Sequence, residues 1–180
     1  MIGYPTLKKI NKFKYVILFF LIIFVIGIVL GHIYGNRINN LNLGQSENFF
    51  NIFKNNLTVG LMLMFLGAIT GGVYSIVVLG INGYIVGQVI NYLIEKRITI
   101  LIVSGLLPHS IFEVLGLICF SIISCLPIIN IFKWLTNDCF KLDVYLLKTI
   151  AKTTINLFLI GTGLLVIAAF MEANISNVNI

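Results

Sequence analysis

Long apolar runs alternate with short polar segments along this 180-residue chain. The apolar runs cover residues 15–30, 57–79, 109–130 and 153–173. Each approaches the roughly 20 residues with which an α-helix crosses the hydrocarbon core of a bilayer. The pattern predicts an all-α fold, a polytopic membrane helix bundle in which these four runs are full-length spans.

Two shorter apolar pieces, residues 83–93 and 98–107, flank the charged residues 95–97. Each has about half the length that a spanning helix needs. The Asn-Gly pair at 82–83 is a strong turn signal. We therefore expect short, broken or re-entrant helices here, and four or five spans in total. Such irregular backbone is tolerated at membrane depth only where protein or a cavity surrounds it.

Glycines at four-residue spacing mark several of these segments. Small residues at this spacing lie on one helix face and let two backbones approach closely, so they predict packing and carry no chemistry. A proline is well suited to the first turn of a helix, where its missing N–H costs little. On these grounds we assign to helix packing the residues Gly27, Gly31, Gly67, Gly71, Gly83, Gly87 and Pro108.

With 59% hydrophobic and 10% charged residues, the chain is too apolar for a soluble domain of ordinary composition. We interpret residues 1–180 as one integral membrane domain, in contact with the lipid bilayer of the cell membrane. The net charge of +6 comes from lysines at the ends of apolar runs and not from a basic block, which argues against a nucleic-acid partner. The positive-inside rule places the basic residues 1–14 in the cytoplasm.

Two further segments separate the spans. Residues 35–54 form a polar loop, in which Ser46 is a candidate helix cap before an interfacial segment with three phenylalanines. Residues 138–152 form an amphipathic surface segment. We expect this segment and residues 95–97 to be cytoplasmic, which requires residues 98–107 to cross the membrane. If they do not cross, the lysine-rich segment lies outside.

The most unusual stretch, residues 108–113, places two ionisable side chains in very apolar sequence. His109 and Glu113 are four residues apart and therefore stack on one helix face. An unpaired charge at the centre of a membrane helix costs roughly 2.5 to 3.5 kcal/mol, so the carboxylate should face the bundle interior and have a partner. We expect a polar intramembrane site formed by His109, Glu113, Glu172, Asn55, Asn56 and Asn82.

Three interpretations of this site remain open. In the first, His109 and Glu113 relay a proton or hold a metal with further ligands. In the second, the polar side chains form a structural network, in which each interhelical hydrogen bond contributes roughly 0.6 to 2 kcal/mol. In the third, the site binds a peptide, an ion or a lipid.

Metal or nucleophilic catalysis has little support in the sequence. A metal hydrolase usually supplies three protein ligands, whereas the second histidine, His32, lies at the end of the first span. The three cysteines, Cys119, Cys125 and Cys139, lack the paired spacing of a zinc site or a disulfide framework. We therefore expect no catalytic residues, no metal and no cofactor.

Several short features occur in a fixed order between residues 52 and 176. They are Asn55-Asn56, the glycines Gly67 and Gly71, the pair Asn82-Gly83 followed by Gly87, the Pro-His-x-x-x-Glu element that begins at Pro108, and a small-residue stretch that contains Glu172. In this order and spacing, the chain resembles the stage II sporulation protein M family of bacterial and archaeal membrane proteins. It departs from the family at Ser110, where glycine is common.

The resemblance implies a non-enzymatic membrane protein that works with partners. The founding member of the family is a scaffold that recruits peptidoglycan-degrading proteins to the septal membrane during spore engulfment. Relatives also occur beside genes for circular bacteriocins, where they assist maturation, export or immunity together with an ATPase subunit. We therefore expect a scaffold or assembly factor, with bacteriocin maturation or transport as the alternative. The expected partners are other membrane or envelope proteins, and a homo-oligomer is left open.

Overall fold

The computed structural model describes residues 6–35, 48–136 and 144–175, and almost all of them are helical. The five long helices are α1 Thr6–Tyr34, α2 Phe49–Ile69, α3 Val73–Glu95, α4 Leu107–Thr136 and α5 Val144–Ile175. A π-helical turn, Ile102–Leu106, leads into α4. All five helices are long and apolar enough to cross a membrane, which confirms the predicted all-α polytopic bundle.

The helices α1 and α3 form a parallel pair. Gly27 of α1 packs against Gly80 of α3, and Gly31, one turn further on, packs against Tyr84. Because the contacts advance in the same direction along both helices, the two run parallel. The helix between them in sequence, α2, belongs to a second group.

In that second group, α4 packs between α2 and α5. The facing pairs are Gly60 with Phe120, Gly67 with Ser124, Gly116 with Leu165 and Gly161 with Cys119. These pairs show that α4 runs parallel to α2 and antiparallel to α5.

The helix directions place the ends of the five helices in two groups. The basic end contains the start of α1 with Lys14, the α2–α3 turn, the end of α4, and the start of α5 with Lys148 and Lys152. The opposite end, the His109 end, contains the start of α4, the end of α5 and residues 95–97. Because α3 is one full-length helix, residues 95–97 lie opposite the start of α1. The expectation that both are cytoplasmic is therefore wrong. The cytoplasmic N-terminus itself stays a prediction.

The α2–α3 turn falls inside one of the predicted spans. α2 ends at Ile69, and Gly71 and Gly72 take the left-handed conformation with φ of 63° and 95°. The N–H of Gly72 donates to the carbonyl of Gly67 at 2.7 Å, which is the 6→1 bond of a Schellman cap. The predicted single span over residues 57–79 is therefore wrong. Its apolar pattern is continuous because the helices on both sides of the turn remain apolar.

Asn82 and Gly83 lie in the interior of α3 and form no turn. α3 continues without a break to Glu95, so residues 83–93 are the second half of a full-length helix. The Asn-Gly pair occurs here because Gly83 packs closely against α1. Because Gly83 has no side chain, α1 and α3 can pack closely here, and the glycine does not mark a turn.

The connection from α3 to α4 is short. Arg97 takes the left-handed conformation, with φ of 60°, and the N–H of Ile98 donates to the carbonyl of Leu93 at 3.0 Å. This is a second cap of the Schellman type. Residues 98–107, which we expected to cross the membrane, form this connection and the π-helical turn.

Parts of the predicted flanking segments, residues 36–47 and 137–143, lie outside the described residues, and the predicted cap Ser46 is among them. The N-cap of α2 is Asn48, whose side-chain oxygen accepts a bond from the backbone N–H two residues later at 3.4 Å. From Val144 onward, the predicted amphipathic segment is continuous with the last span as part of α5.

The core of the bundle is centred on α4, and every helix contributes to it. Its largest buried side chains include Phe20, Phe24, Leu63, Leu79, Leu117, Phe120 and Leu165. Because lipid is as apolar as these side chains, close packing and interhelical hydrogen bonds hold such a bundle together.

Candidate functional site

His109 lies in the first turn of α4, directly after Pro108. Its Nδ1 is 2.8 Å from the carbonyl oxygen of Gly105, and because a carbonyl can only accept, Nδ1–H donates. The hydroxyl of Ser110 donates to the carbonyl of Leu106 in the same way. Both side chains therefore satisfy carbonyls of the π-helical turn, as irregular backbone in a membrane requires. The Nε2 atom of His109 is the nitrogen available to a further partner.

Glu113 lies one turn deeper on α4 and is half-buried. The antiparallel packing of α5 brings the half-buried Glu172 near it, close enough for the two charges to interact. Two neighbouring carboxylates repel strongly in a medium of low dielectric constant. A proton, a cation or hydrogen-bond donors must therefore compensate them. Two of the predicted site residues, one on α4 and one on α5, thus lie within electrostatic range of each other at the His109 end.

The three predicted asparagines occupy separate places. Asn56 is half-buried and Asn55 is exposed, both in the first half of α2 at the His109 end. Asn82 is half-buried on α3, beside Gly83. Within the described residues, none of the three makes a hydrogen bond through its side chain. A network that joins them to His109 stays a prediction.

Asn55 belongs to a polar stripe on the outer face of α2. Four exposed residues line a groove of about 260 Å³ here, and we call them the α2 polar stripe: Asn51, Lys54, Asn55 and Thr58. Their spacing of three and four residues places them on one helix face. The opposite face of α2 packs into the bundle through Ile52, Gly60, Leu63 and Gly67.

Backbone contacts hold α1 and α3 together at four of the predicted packing glycines, Gly27, Gly31, Gly83 and Gly87. A Cβ on any of them would come closer than 3.0 Å to a backbone atom of the other helix. The other two predicted glycines lie elsewhere. Gly67 packs among serines, and Gly71 forms the α2–α3 turn.

A buried group of serines joins α2, α3 and α4, and the sequence analysis missed it. We call Gly67, Ser75, Ser121 and Ser124 the serine cluster. The Oγ of Ser124 donates to the carbonyl of Ser121 at 2.7 Å, so the hydroxyl of Ser75, 3.1 Å away, donates to Ser124. All three serines are fully buried. The available signal was three hydroxyl residues in otherwise apolar spans, two of them three residues apart on one helix.

The site offers an imidazole and two carboxylates at the His109 end. In the part of the chain that the structure describes, no group of three or more His, Cys, Asp or Glu residues is placed to hold a metal ion. Cys119 and Cys125 are free, half-buried thiols of α4, and Cys139 lies outside the described residues. His32 is exposed near the end of α1.

The chain is similar to known proteins over almost its whole length. The family model described as Stage II sporulation protein M matches residues 16–177. An uncharacterized protein of Methanocaldococcus jannaschii is 30% identical over 172 residues, which cover 91% of this chain and 94% of that protein. No solved structure matches the chain.

Proposed function

Because the chain belongs to the Stage II sporulation protein M family, we propose that it is a non-enzymatic scaffold or assembly factor in the membrane. In this role it binds other membrane or envelope proteins through the outer faces of its helices. The observation that carries the proposal is the α2 polar stripe, which faces away from the bundle.

The α2 polar stripe sits on a helix that is otherwise apolar on its outer side. Further along the same helix, the exposed residues are Met62, Phe65, Leu66 and Ile69. Amide and ammonium groups are costly next to hydrocarbon, and their cost falls when another transmembrane helix supplies hydrogen-bond partners. A partner helix that packs along the first half of α2 would satisfy these groups, whereas lipid suffices for the second half.

Site-specific photo-crosslinking from α2 in native membranes tests this proposal. A photoreactive residue at Asn55 is expected to form a discrete crosslinked product with another polypeptide. The matched control is the same residue at Phe65, which lies ten residues later on the apolar outer surface and is expected to label lipid alone. Mass spectrometry identifies the product. Equal labelling from both positions, or lipid adducts alone from Asn55, would contradict the proposal.

A second measurement uses the unlabelled protein. Replacing Asn51 and Asn55 together by Leu is expected to abolish copurification of that partner. Expression and thermal unfolding should stay unchanged, because both side chains are exposed and make no hydrogen bond through their side-chain atoms within the described residues. A partner retained in full by this variant counts against the scaffold role.

The interaction between Glu113 and Glu172 favours a second candidate function. A carboxylate pair beside an imidazole, at membrane depth, is typical of proteins that move or process a substrate. In this alternative, the protein assists the maturation, export or immunity of a circular bacteriocin or another small substrate, with an ATPase partner.

Neutral replacements separate the two functions. Glu113→Gln, Glu172→Gln and His109→Ala, each at normal expression, are expected to abolish export if the second function holds. The scaffold proposal instead expects the same variants to keep the crosslink from Asn55. Neighbouring genes add an independent observation: a short leader-bearing peptide and an ATPase favour export, and cell-wall hydrolases favour the scaffold.

A further inference from the structure

The cation of the α2 polar stripe has no counter-ion among the described residues. Lys54 is exposed in the middle of the stripe, and no carboxylate of this part of the chain pairs with its ammonium group. The carboxamides beside it, those of Asn51 and Asn55, make no side-chain hydrogen bond there either. Thr58 differs, because its hydroxyl donates to the carbonyl oxygen of Lys54 at 2.7 Å. The stripe therefore offers one positive charge and two carboxamides, and it contains no acid.

The stripe extends into the hydrocarbon part of a membrane. α2 has 21 residues and a length of about 31 Å, close to the roughly 30 Å of a hydrocarbon core. Lys54 lies about 8 Å and Asn55 about 9 Å from the start of this helix. Phe50, one turn nearer to that start, is 70% exposed, as expected of a side chain that lipid surrounds. The lysine side chain is long enough to reach a lipid phosphate at the surface, whereas the short carboxamide of Asn55 is not.

A second copy of this chain does not complement the stripe. Two copies related by a twofold axis would place the same patch on both sides of the interface, so their Lys54 ammonium groups would repel each other. The acidic residues among the described ones are Glu95, Glu113 and Glu172. Glu95 is the last residue of α3, and the other two are half-buried in the bundle. None of the three therefore lies on an outer face at the depth of Lys54.

We propose that the α2 polar stripe docks a transmembrane helix of another protein that carries an aspartate or glutamate, whose carboxylate pairs with the Lys54 ammonium group. This inference rests on the proposed function and names the chemistry of the partner. A carboxylate supplies the negative charge that lysine lacks and acceptor oxygens for the neighbouring carboxamides. The acid in turn needs such a partner when it lies at membrane depth. A pair of this kind also fixes the register of the two helices and rejects a helix without the acid.

Carbodiimide coupling in native membranes tests this pairing. Dicyclohexylcarbodiimide enters the membrane and activates a carboxylate, which an amine in contact with it then attacks to form an amide bond. The Lys54 amine is expected to become linked to an aspartate or glutamate of the polypeptide that position 55 crosslinks. Mass spectrometry identifies the two linked peptides. Lys54→Arg keeps the charge but lacks the reactive amine, so it should abolish the coupling and retain the photo-crosslink from position 55.

Charge reversal measures how much the pairing contributes. Lys54→Glu is expected to lower the yield of the photo-crosslink from position 55 about tenfold, because it places two carboxylates together. Replacing the coupled acid of the partner by lysine should then restore the yield. The matched control is Lys148→Glu, at an exposed position on the opposite end of the bundle, which should leave the yield unchanged. Because Lys54 is exposed, its purified variants should unfold thermally like the unmodified protein.

The outcomes separate this inference from the proposed function. If position 55 crosslinks no polypeptide, the proposed function fails, and the inference fails with it. If the crosslink forms but Lys54 couples to no acid, or Lys54→Glu keeps the full yield, only the acidic partner is overturned. A lipid phosphate as the counter-ion gives that result, because it forms no amide with Lys54. Coupling of Lys54 to an acid of this same sequence would also overturn the inference, because the occupant would then be the chain itself or a second copy.

Discussion

Glycines line two helix interfaces in this bundle, and the two interfaces are built differently. Between α1 and α3, a Cβ on Gly31 would run into the backbone of Tyr84. Between α4 and α5, the nearest atom to a Cβ on Gly116 belongs to the side chain of Leu165, at 2.8 Å. A side chain can rotate away, whereas a helical backbone cannot. The same residue type in similar sequence thus has a very different tolerance to change.

Gly31→Ala should have the largest effect, because it acts on the interface that cannot adjust. The added methyl overlaps the carbonyl of Tyr84, so α1 and α3 must separate. We expect a loss of about 3 kcal/mol in the free energy of unfolding, at the upper end for overpacking. Titration with SDS from a mild detergent measures it. Val29→Ala, at an exposed position of α1, is the control, and a loss below about 1 kcal/mol would contradict the contact.

Gly67→Ala should have an intermediate effect. Its Cβ would lie 2.7 Å from the Cβ and Oγ of Ser124 and from the Oγ of Ser75, so it strains the serine cluster. We expect a loss of about 2 kcal/mol by the same titration. Combining it with Ser124→Gly removes two of the three clashing atoms and should cost less than the sum of the two single losses. Strict additivity would show that the glycine and the serines do not interact.

Gly116→Ala should cost little, although a Cβ there also meets an atom below 3.0 Å. The atom below 3.0 Å belongs to the side chain of Leu165, whereas the nearest backbone atom, the carbonyl oxygen of Gly161, is at 3.1 Å. Alanine also has a higher helix propensity than glycine by about 1 kcal/mol. We expect a net loss below about 1 kcal/mol. A loss as large as that of Gly31→Ala, in parallel titrations, would remove the distinction between the two interfaces.

Gly163→Ala should have the smallest effect and the opposite sign. Nothing lies within 4 Å of a Cβ at this position of α5. The higher helix propensity of alanine then predicts a gain of up to about 1 kcal/mol for the purified protein. Destabilisation seen in native membranes but not after purification would show that a partner covers this face of α5.

Length and hydropathy were enough to predict an all-α polytopic bundle of four or five spans, but not where one helix ends. The glycines of the turn at Gly71-Gly72 do not interrupt the apolar run. Hydropathy therefore predicted one continuous span where α2 ends and α3 begins. The opposite error occurred at Asn82-Gly83, a strong local turn signal. There the close packing of Gly83 against α1 overrides it. In both cases tertiary contacts decide, and they are absent from a local pattern.

The site was partly predictable for a similar reason. The cost of a carboxylate at membrane depth led us to expect Glu113 and Glu172 in one polar site, and the two charges are close enough to interact. A site that joins them to His109 and the asparagines stays a prediction. The same rule does not say which way an uncharged amide points, and Asn55 faces outward. The buried serines were not predicted because a serine hydroxyl can donate a hydrogen bond to a carbonyl of its own helix, so its presence in an apolar span does not require a partner on another helix. Ser121 does so by donating to the carbonyl of Leu117 at 3.0 Å.

The parallel pairing of α1 with α3 has a consequence for biosynthesis. During translation, α1 leaves the ribosome well before its partner, which is complete only at Glu95. At a synthesis rate of about 5–20 residues per second, the nascent α1 stays in the bilayer for roughly 3 to 12 s before α3 covers its glycine face, which contains Gly27 and Gly31. In that interval, the α1 helices of two chains translated from the same messenger RNA could pair through their glycine faces. Such pairing would compete with the docking of α3 onto α1. We therefore expect slower elongation between the first and third hydrophobic segments to lower the yield of correctly assembled protein.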